Sequence, residues 1–193
     1  FSLLKGASPI KGMVERAKEL GMDSIAITDD GNLFGALNFY MACKKAEINP
    51  IIGCDFYLAP GDRSSRSGLE NPNRLSRLVL LAKNSVGYQS LIHLTSIGYT
   101  EGFYYKPRID DEVLERHTEG VIALSGSLSG DIPRLILANK IEEAEQRAAW
   151  YQALYGADHF YLELCDHGIP EQKVLNKELA EISRKLAIPM VAA

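Results

Sequence analysis

The sequence predicts an α/β domain in which a parallel sheet is covered by helices, either as an open doubly wound sheet or as a closed barrel. Two observations predict it. Extended and helical periodicities alternate along the chain, and the strands are short and almost wholly apolar. No glycine-rich phosphate fingerprint follows the first strand.

Taken in order, "SPIKGMVERAKELG" places Ser8 as an N-cap and Pro9 at the first helical position. Ile10, Met13, Val14, Ala17 and Leu20 share one face, and Gly21 is a stop. The strand "DSIAITD" follows, then a helix near 33–46. The β-branched and aromatic residues of "INPIIGCDFYLA" read as a second strand. "RLVLLAK", "GVIALSG", "HFYLELC" and "IPMVAA" continue the strands, with helical patterns near 88–97, 141–154 and 171–186. Residues 59–74, rich in Gly, Ser, Pro and charge, read as a surface-loop insertion in a single domain spanning 1–193.

Composition sets outer bounds. A chain of 193 residues, 46% hydrophobic and 24% charged, can bury a full core, and its net charge of −4 gives no overall footprint for nucleic acid. Cys43, Cys54 and Cys165 are odd in number, widely spaced and set in apolar context, which favours reduced buried thiols. No apolar run approaches the roughly 18 residues of a membrane span, and no signal peptide is recognisable at the start. The expectation is a cytoplasmic protein.

The C-terminal ends of the strands carry Asp29 and Asp30, Asp55, Ser125 and Ser127, and then Glu163, Asp166 and His167. Carboxylates converging at one end of an α/β fold suit hard divalent cations and phosphoester chemistry. Each acid taken singly is equally explained as a cap of the following helix or turn. From the residues alone the readings left open are a metal phosphoesterase and a plain α/β domain.

A resemblance takes the reading further. "ITDDGNLFGALNFYMACKKAEINPIIGCDFYLAPGDR", "LLAKNSVGYQSLIHLTSIGYTEGFYYKPRID", "GVIALSGSLSGDIPR" and "YLELCDHGIPEQKVLN" closely resemble the N-terminal PHP (polymerase and histidinol phosphatase) domain of bacterial replicative DNA polymerase III alpha subunits. The resemblance covers nearly the whole chain and implies a distorted, TIM-like β/α barrel. Active PHP domains bind up to three metal ions and hydrolyse phosphoesters, in some polymerases as a 3′–5′ exonuclease. The outer motifs of the family, a His-x-His pair and an Asp-x-His pair, fall before Phe1 and after Ala193, so the resemblance implies a barrel incomplete at both termini.

Few of the implied metal positions keep a ligand. Lys5 stands in "SLLKG" where the family has an acid, and Asp30 stands where "TDHGN" has histidine. Asp55 conservatively replaces the glutamate of "GCE". Arg77 aligns with a histidine, and Ser127 with the cysteine of "LSGC". Two ligand positions are thus cations. A unit charge about 4 Å from a dication is repelled by roughly 8 kcal/mol at an effective dielectric near 20. The expectation is that Lys5 and Arg77 stand in for lost metal and pair with Asp30 and Asp55; the alternative is that both basic chains are solvent-exposed. A divalent metal (Zn, Mn or Mg) is expected only if the site is retained.

Secondary candidates are Asp29 and the Glu163, Asp166 and His167 group, the latter weighed against a purely structural turn. His93 and His117 read as surface or packing residues, and His159 has no evident partner. "YTEGFYYKPR" interleaves rings with Lys106 and Arg108 as single-strand binders do, although Gly102 and Pro107 favour a packed loop. The resemblance implies a structural and docking module of a DNA-directed DNA polymerase, itself without catalysis. Its implied partners are DNA through the parent polymerase, a proofreading exonuclease subunit and other replisome subunits, with no membrane. The rival is a working metal-dependent phosphoesterase or 3′–5′ exonuclease; a free-standing metabolite phosphatase is disfavoured by the long polymerase-type motifs. A barrel lacking its outer parts would expose strand edges, so aggregation or partner-dependent stability is expected.

Overall fold

The computed structural model describes residues 6, 8–66 and 75–192. Their elements run α1 (Ile10–Glu19), β1 (Ser24–Asp30), α2 (Ala36–Ala46), β2 (Asn49–Leu58), β3 (Ser76–Ala82), α3 (Ser85–Thr100), β4 (Arg108–Ile109) and α4 (Asp111–Glu115). They continue with β5 (Val121–Leu124), α5 (Asp131–Leu137), α6 (Ile141–Tyr155), β6 (Phe160–Leu164), α7 (Pro170–Leu186) and β7 (Met190–Ala192). The strands form one curled, half-barrel sheet in the order β1-β2-β3-β5-β6-β7, with β4 paired to β2 off that path. No helix among the described residues is long and apolar enough to cross a membrane.

Alternation along the strands sorts side chains between two faces. Ile25 and Ile27 of β1 face Val14 and Ala17 of α1 and Phe39 and Cys43 of α2 in one cluster. Cys54, Phe56 and Leu58 of β2, Leu78 and Leu80 of β3, Ala123 of β5 and Leu162 of β6 join Leu91 and Leu94 of α3 and Leu175 and Leu179 of α7 in the main core. The opposite parity is left for the face turned away from the helices. Thr28, Asp30, Asp55, Tyr57, Arg77 and Glu163 lie there.

The sheet is not wholly parallel. β3 runs antiparallel to both β2 and β5, whereas β1–β2, β5–β6 and β6–β7 are parallel. A parallel return requires a crossover over the sheet face. Here the chain leaves β2 at Leu58 and re-enters at Ser76, which is the register partner of Leu58. Of the expected 59–74 loop, residues 59–66 bend at that end of the sheet, where Arg63 pairs with Asp110 at 3.1 Å and with Glu101 at 2.7 Å. Residues 67–74 lie outside the described residues.

Other differences are local. Helix α1 starts at Ile10, with Pro9 in the cap position and Ser8 outside it; Gly21 ends the turn at φ 69°. The strand containing Asp55 continues to Leu58, so Asp55 is an interior residue of β2 and not its end. All three cysteines are free and buried.

Candidate functional site: an arginine between two strand carboxylates

Asp30 and Asp55 are direct register partners on the parallel β1–β2 ladder. Like charges placed opposite one another destabilise a sheet unless a cation lies between them. Arg77 supplies it. Because β3 is antiparallel, its first residues sit at the end of the sheet where β1 finishes, and Arg77, register partner of Tyr57, projects from the same face as Asp55. Its Nη2 donates to Asp30 Oδ1 and to Asp55 Oδ2.

The three side chains are 8%, 18% and 23% exposed for Arg77, Asp30 and Asp55, so the charges interact with little solvent screening. Burial alone would lower the affinity of the Arg77 guanidinium for its proton. Bonding and attraction to Asp55, and then to Asp30, outweigh burial and raise it. The cation is therefore permanent at every accessible pH. The guanidinium carbon also lies 4.5 Å from the centre of the buried Tyr57 ring, and Lys106 Nζ lies 5.5 Å from the same ring. Guanidinium and ammonium groups are both attracted to such a ring face.

Beside this centre the buried Glu163 of β6 is locked by its neighbours. Its backbone N–H donates to Ser125 Oγ at 2.9 Å, and its carboxylate accepts from Cys165 Sγ at 3.3 Å. Burial raises its pKa, and the negative charge of Asp55 adds to the effect. The Cys165 thiol is raised too, by burial first and by Glu163, while a hydrogen bond from Ser127 opposes the rise. Such a thiol is a poor nucleophile. Cys54, on the helix side of β2, is raised well above its ordinary value by burial and by Asp55.

The remaining candidates separate from the centre. Asp29 is buried and accepts from the Gly35 N–H at 3.2 Å, tying down the turn into α2. Asp166 accepts from the Gly168 N–H at 3.1 Å in an Asx turn, and the exposed His167 is held through its backbone and Nδ1 by the buried Gln172. Lys5 lies outside the described residues. His159 does have a partner, Lys83 Nζ at 2.7 Å from its Nε2.

Sequence reasoning missed Tyr57, Cys165 and Arg134. Tyr57 was within reach of the period-two rule, since it follows Asp55 by two residues. Arg134 of α5 is half-buried, and burial together with the charge of Arg77 lowers its pKa; nothing in its local pattern marks it.

The donor set among the described residues does not fit a divalent metal. Among the described residues no three His, Cys, Asp or Glu side chains are arranged to hold one. The two best-placed carboxylates converge instead on a fixed guanidinium, and Glu163 is engaged by Cys165.

The half-barrel with polar side chains at its strand ends is that of the distorted β/α barrels. Over 97% of this chain and 82% of the other, it is similar in fold to a protein assigned as a metal-dependent phosphoesterase from Bifidobacterium adolescentis (TM-score 0.55, 12% identity). An amidohydrolase from Chromobacterium violaceum is similar over the same shares (TM-score 0.56, 13% identity). Residues 1–167 match the PHP domain model, and the chain belongs to the PHP domain family. Its sequence is 47% identical over 193 residues, its whole length, to the DNA polymerase III subunit alpha of Borreliella burgdorferi. It is 46% identical over 191 residues to that of Treponema pallidum. The chain spans only 17% and 16% of the length of these two relatives.

Proposed function

We propose that this chain is the PHP region of a bacterial DNA-directed DNA polymerase of the III alpha type, and that it acts there as a structural and docking module without phosphoesterase chemistry of its own. The observation that carries the reading is the Arg77 guanidinium set between Asp30 and Asp55. A fixed monocation in that position answers the repulsion of the two carboxylates and opposes a dication by roughly 8 kcal/mol at about 4 Å and an effective dielectric near 20. The role of Arg77 is to hold β1, β2 and β3 together at the end of the sheet. Asp30, Asp55 and Ser127 are then relics of a ligand set, and Asp29, Asp166 and His167 are turn-forming residues.

The similarity to polymerase subunits along the whole chain supports the assignment to a replicative polymerase working on DNA in the cytoplasm. In that setting a rigid, uncatalytic domain would steady the polymerase and seat a separate proofreading exonuclease subunit. The rival reading is a metal-dependent 3′–5′ exonuclease using Zn, Mn or Mg. Elemental analysis of the full-length protein, purified without chelator and then equilibrated with each of these ions, separates the two. Metal-free, folded protein without chelator-sensitive exonuclease activity is expected. Stoichiometric metal that is lost on replacing Asp30 or Asp55 by Asn would overturn the proposal.

A further inference from the structure

We propose that an exposed aromatic row beside the strand ends binds single-stranded nucleic acid by stacking its bases. The row is built from two segments: Phe34 in the turn after β1, and the end of α3, with Tyr99 in its last turn and Phe103 just beyond it. Ring centroids are 6.3 Å apart for Phe34 and Tyr99 and 5.9 Å for Tyr99 and Phe103, the second pair stacked at 18°. The end members are the most open, at 65% for Phe34 and 51% for Phe103 against 41% for Tyr99. Apolar surface gathered in this way, from residues distant in sequence, is a mark of a binding face.

Tyr105, on the same segment as Tyr99 and Phe103, is presented at the expense of the backbone. It adopts φ 59°, a region that bulky residues rarely enter, in the tight turn closed by the Tyr104 N–H on the Lys106 carbonyl at 3.1 Å. The result is a tyrosine 64% exposed, edge-on to Tyr104 at 4.6 Å. Its strained backbone has no burial of that ring to compensate it.

The charges around the row favour an anionic ligand. Glu101 is paired with Arg63, and Asp30 and Asp55 are paired with Arg77. Lys106 and Arg66, one beside the Tyr57 ring and the other 5.7 Å from that of Tyr104, make no ion pair among the described residues. Exposed planar faces, with these two unpaired cations carried by or touching the same 99–108 segment, fit a chain of planar rings joined by phosphates whose faces are open. A duplex offers no such faces. The rings and the two unpaired cations lie outside the Arg77 ion-pair centre, so loss of oligonucleotide binding and presence of metal are separate readouts.

The test is fluorescence anisotropy of a labelled oligothymidylate of about 12 nucleotides at low salt, with the chain and with variants whose melting temperatures are matched. Saturable binding is expected, weakened roughly 5- to 150-fold by Phe34→Ala or by Phe103→Ala and kept by Phe103→Trp. Lys106→Gln should reduce the steepness of its salt dependence. No binding up to about 100 μM, affinity indifferent to both ring deletions, or equal affinity for a duplex would each overturn the proposal. So would ring deletions that abolish self-association in sedimentation while leaving oligothymidylate binding unchanged, which would assign the row to a protein contact.

Discussion

Arg77 meets Asp55 on a diagonal of the β2–β3 ladder, since Asp55 is the register partner of Val79 and Arg77 lies two residues before Val79 on the same face. That offset suits a long side chain reaching a short one. The same guanidinium nitrogen also reaches Asp30 across the neighbouring ladder. One cation thus ties three strands.

Its removal should be felt by the whole domain. Arg77→Met leaves two facing carboxylates largely buried, and losing one partner of such a group costs about 3–5 kcal/mol. A drop in melting temperature of roughly 6–20 °C is expected for a domain of this size. Adding Asp30→Asn to that variant should recover part of the loss by deleting one of the two opposed charges. Urea unfolding of the wild type and the two variants forms the test, and a loss below about 1 kcal/mol in the single variant would mean that the pairing is peripheral to stability.

Glu163 predicts a pH effect of a definite sign. Burial, reinforced by Asp55, raises its pKa in the folded state. The folded protein therefore keeps a proton that the unfolded chain has released, and stability falls as pH rises from the ordinary carboxylate range through the folded value. Glu163→Gln stays neutral and can still accept from Cys165. It should raise the melting temperature at pH 8 and leave it nearly unchanged at pH 4. Equal effects at both pH values would show that Glu163 is ionised in the fold without penalty.

How far the sequence discloses all this follows from which signals are local. Alternation in "SIAITDD" and "IIGCDFYL" is enough to place Asp30, Asp55 and Tyr57 on one face, because parity along a strand needs no knowledge of its neighbours. The direction of β3 leaves no such trace: "RLVLLA" has the same pattern whichever way it runs, and only the return at Leu58 and Ser76 decides it. That direction is what brings Arg77 to the carboxylates. β4, of two residues, and α4, of five, are too short to show a period, and Pro133 disguises α5 as a loop. Arg134 and the Phe34–Tyr99–Phe103 row depend on packing between distant segments.

Two glycines should respond oppositely to alanine. At Gly87 in α3 an added Cβ would lie 1.8 Å from the carbonyl oxygen of Gly120, whose backbone abuts the helix just before β5. Relieving that overlap must shift a helix whose Leu91 and Leu94 are fully buried, at a cost of about 1–3 kcal/mol. At Gly12 in α1 nothing lies within 4 Å of the added atom, so the helix gains up to about 1 kcal/mol. Thermal melts of the two single variants should bracket the wild type.

His117 supplies a second pH dependence, opposite in sign to that of Glu163. Its ring lies 5.5 Å from that of His93, edge-on, and burial first, then His93 and Arg116, lower its pKa. The fold resists protonating His117 while the unfolded chain does not, so the contribution is present above about pH 6.5 and is lost as pH falls through the folded value. His117→Gln should therefore narrow the stability difference between pH 7.5 and pH 5.5. Replacing His93 by Gln removes one source of positive charge and should move the His117 titration, followed by its ring-proton NMR signal, back toward the ordinary imidazole range. An unmoved His117 titration in that variant would leave burial and Arg116 as the whole cause.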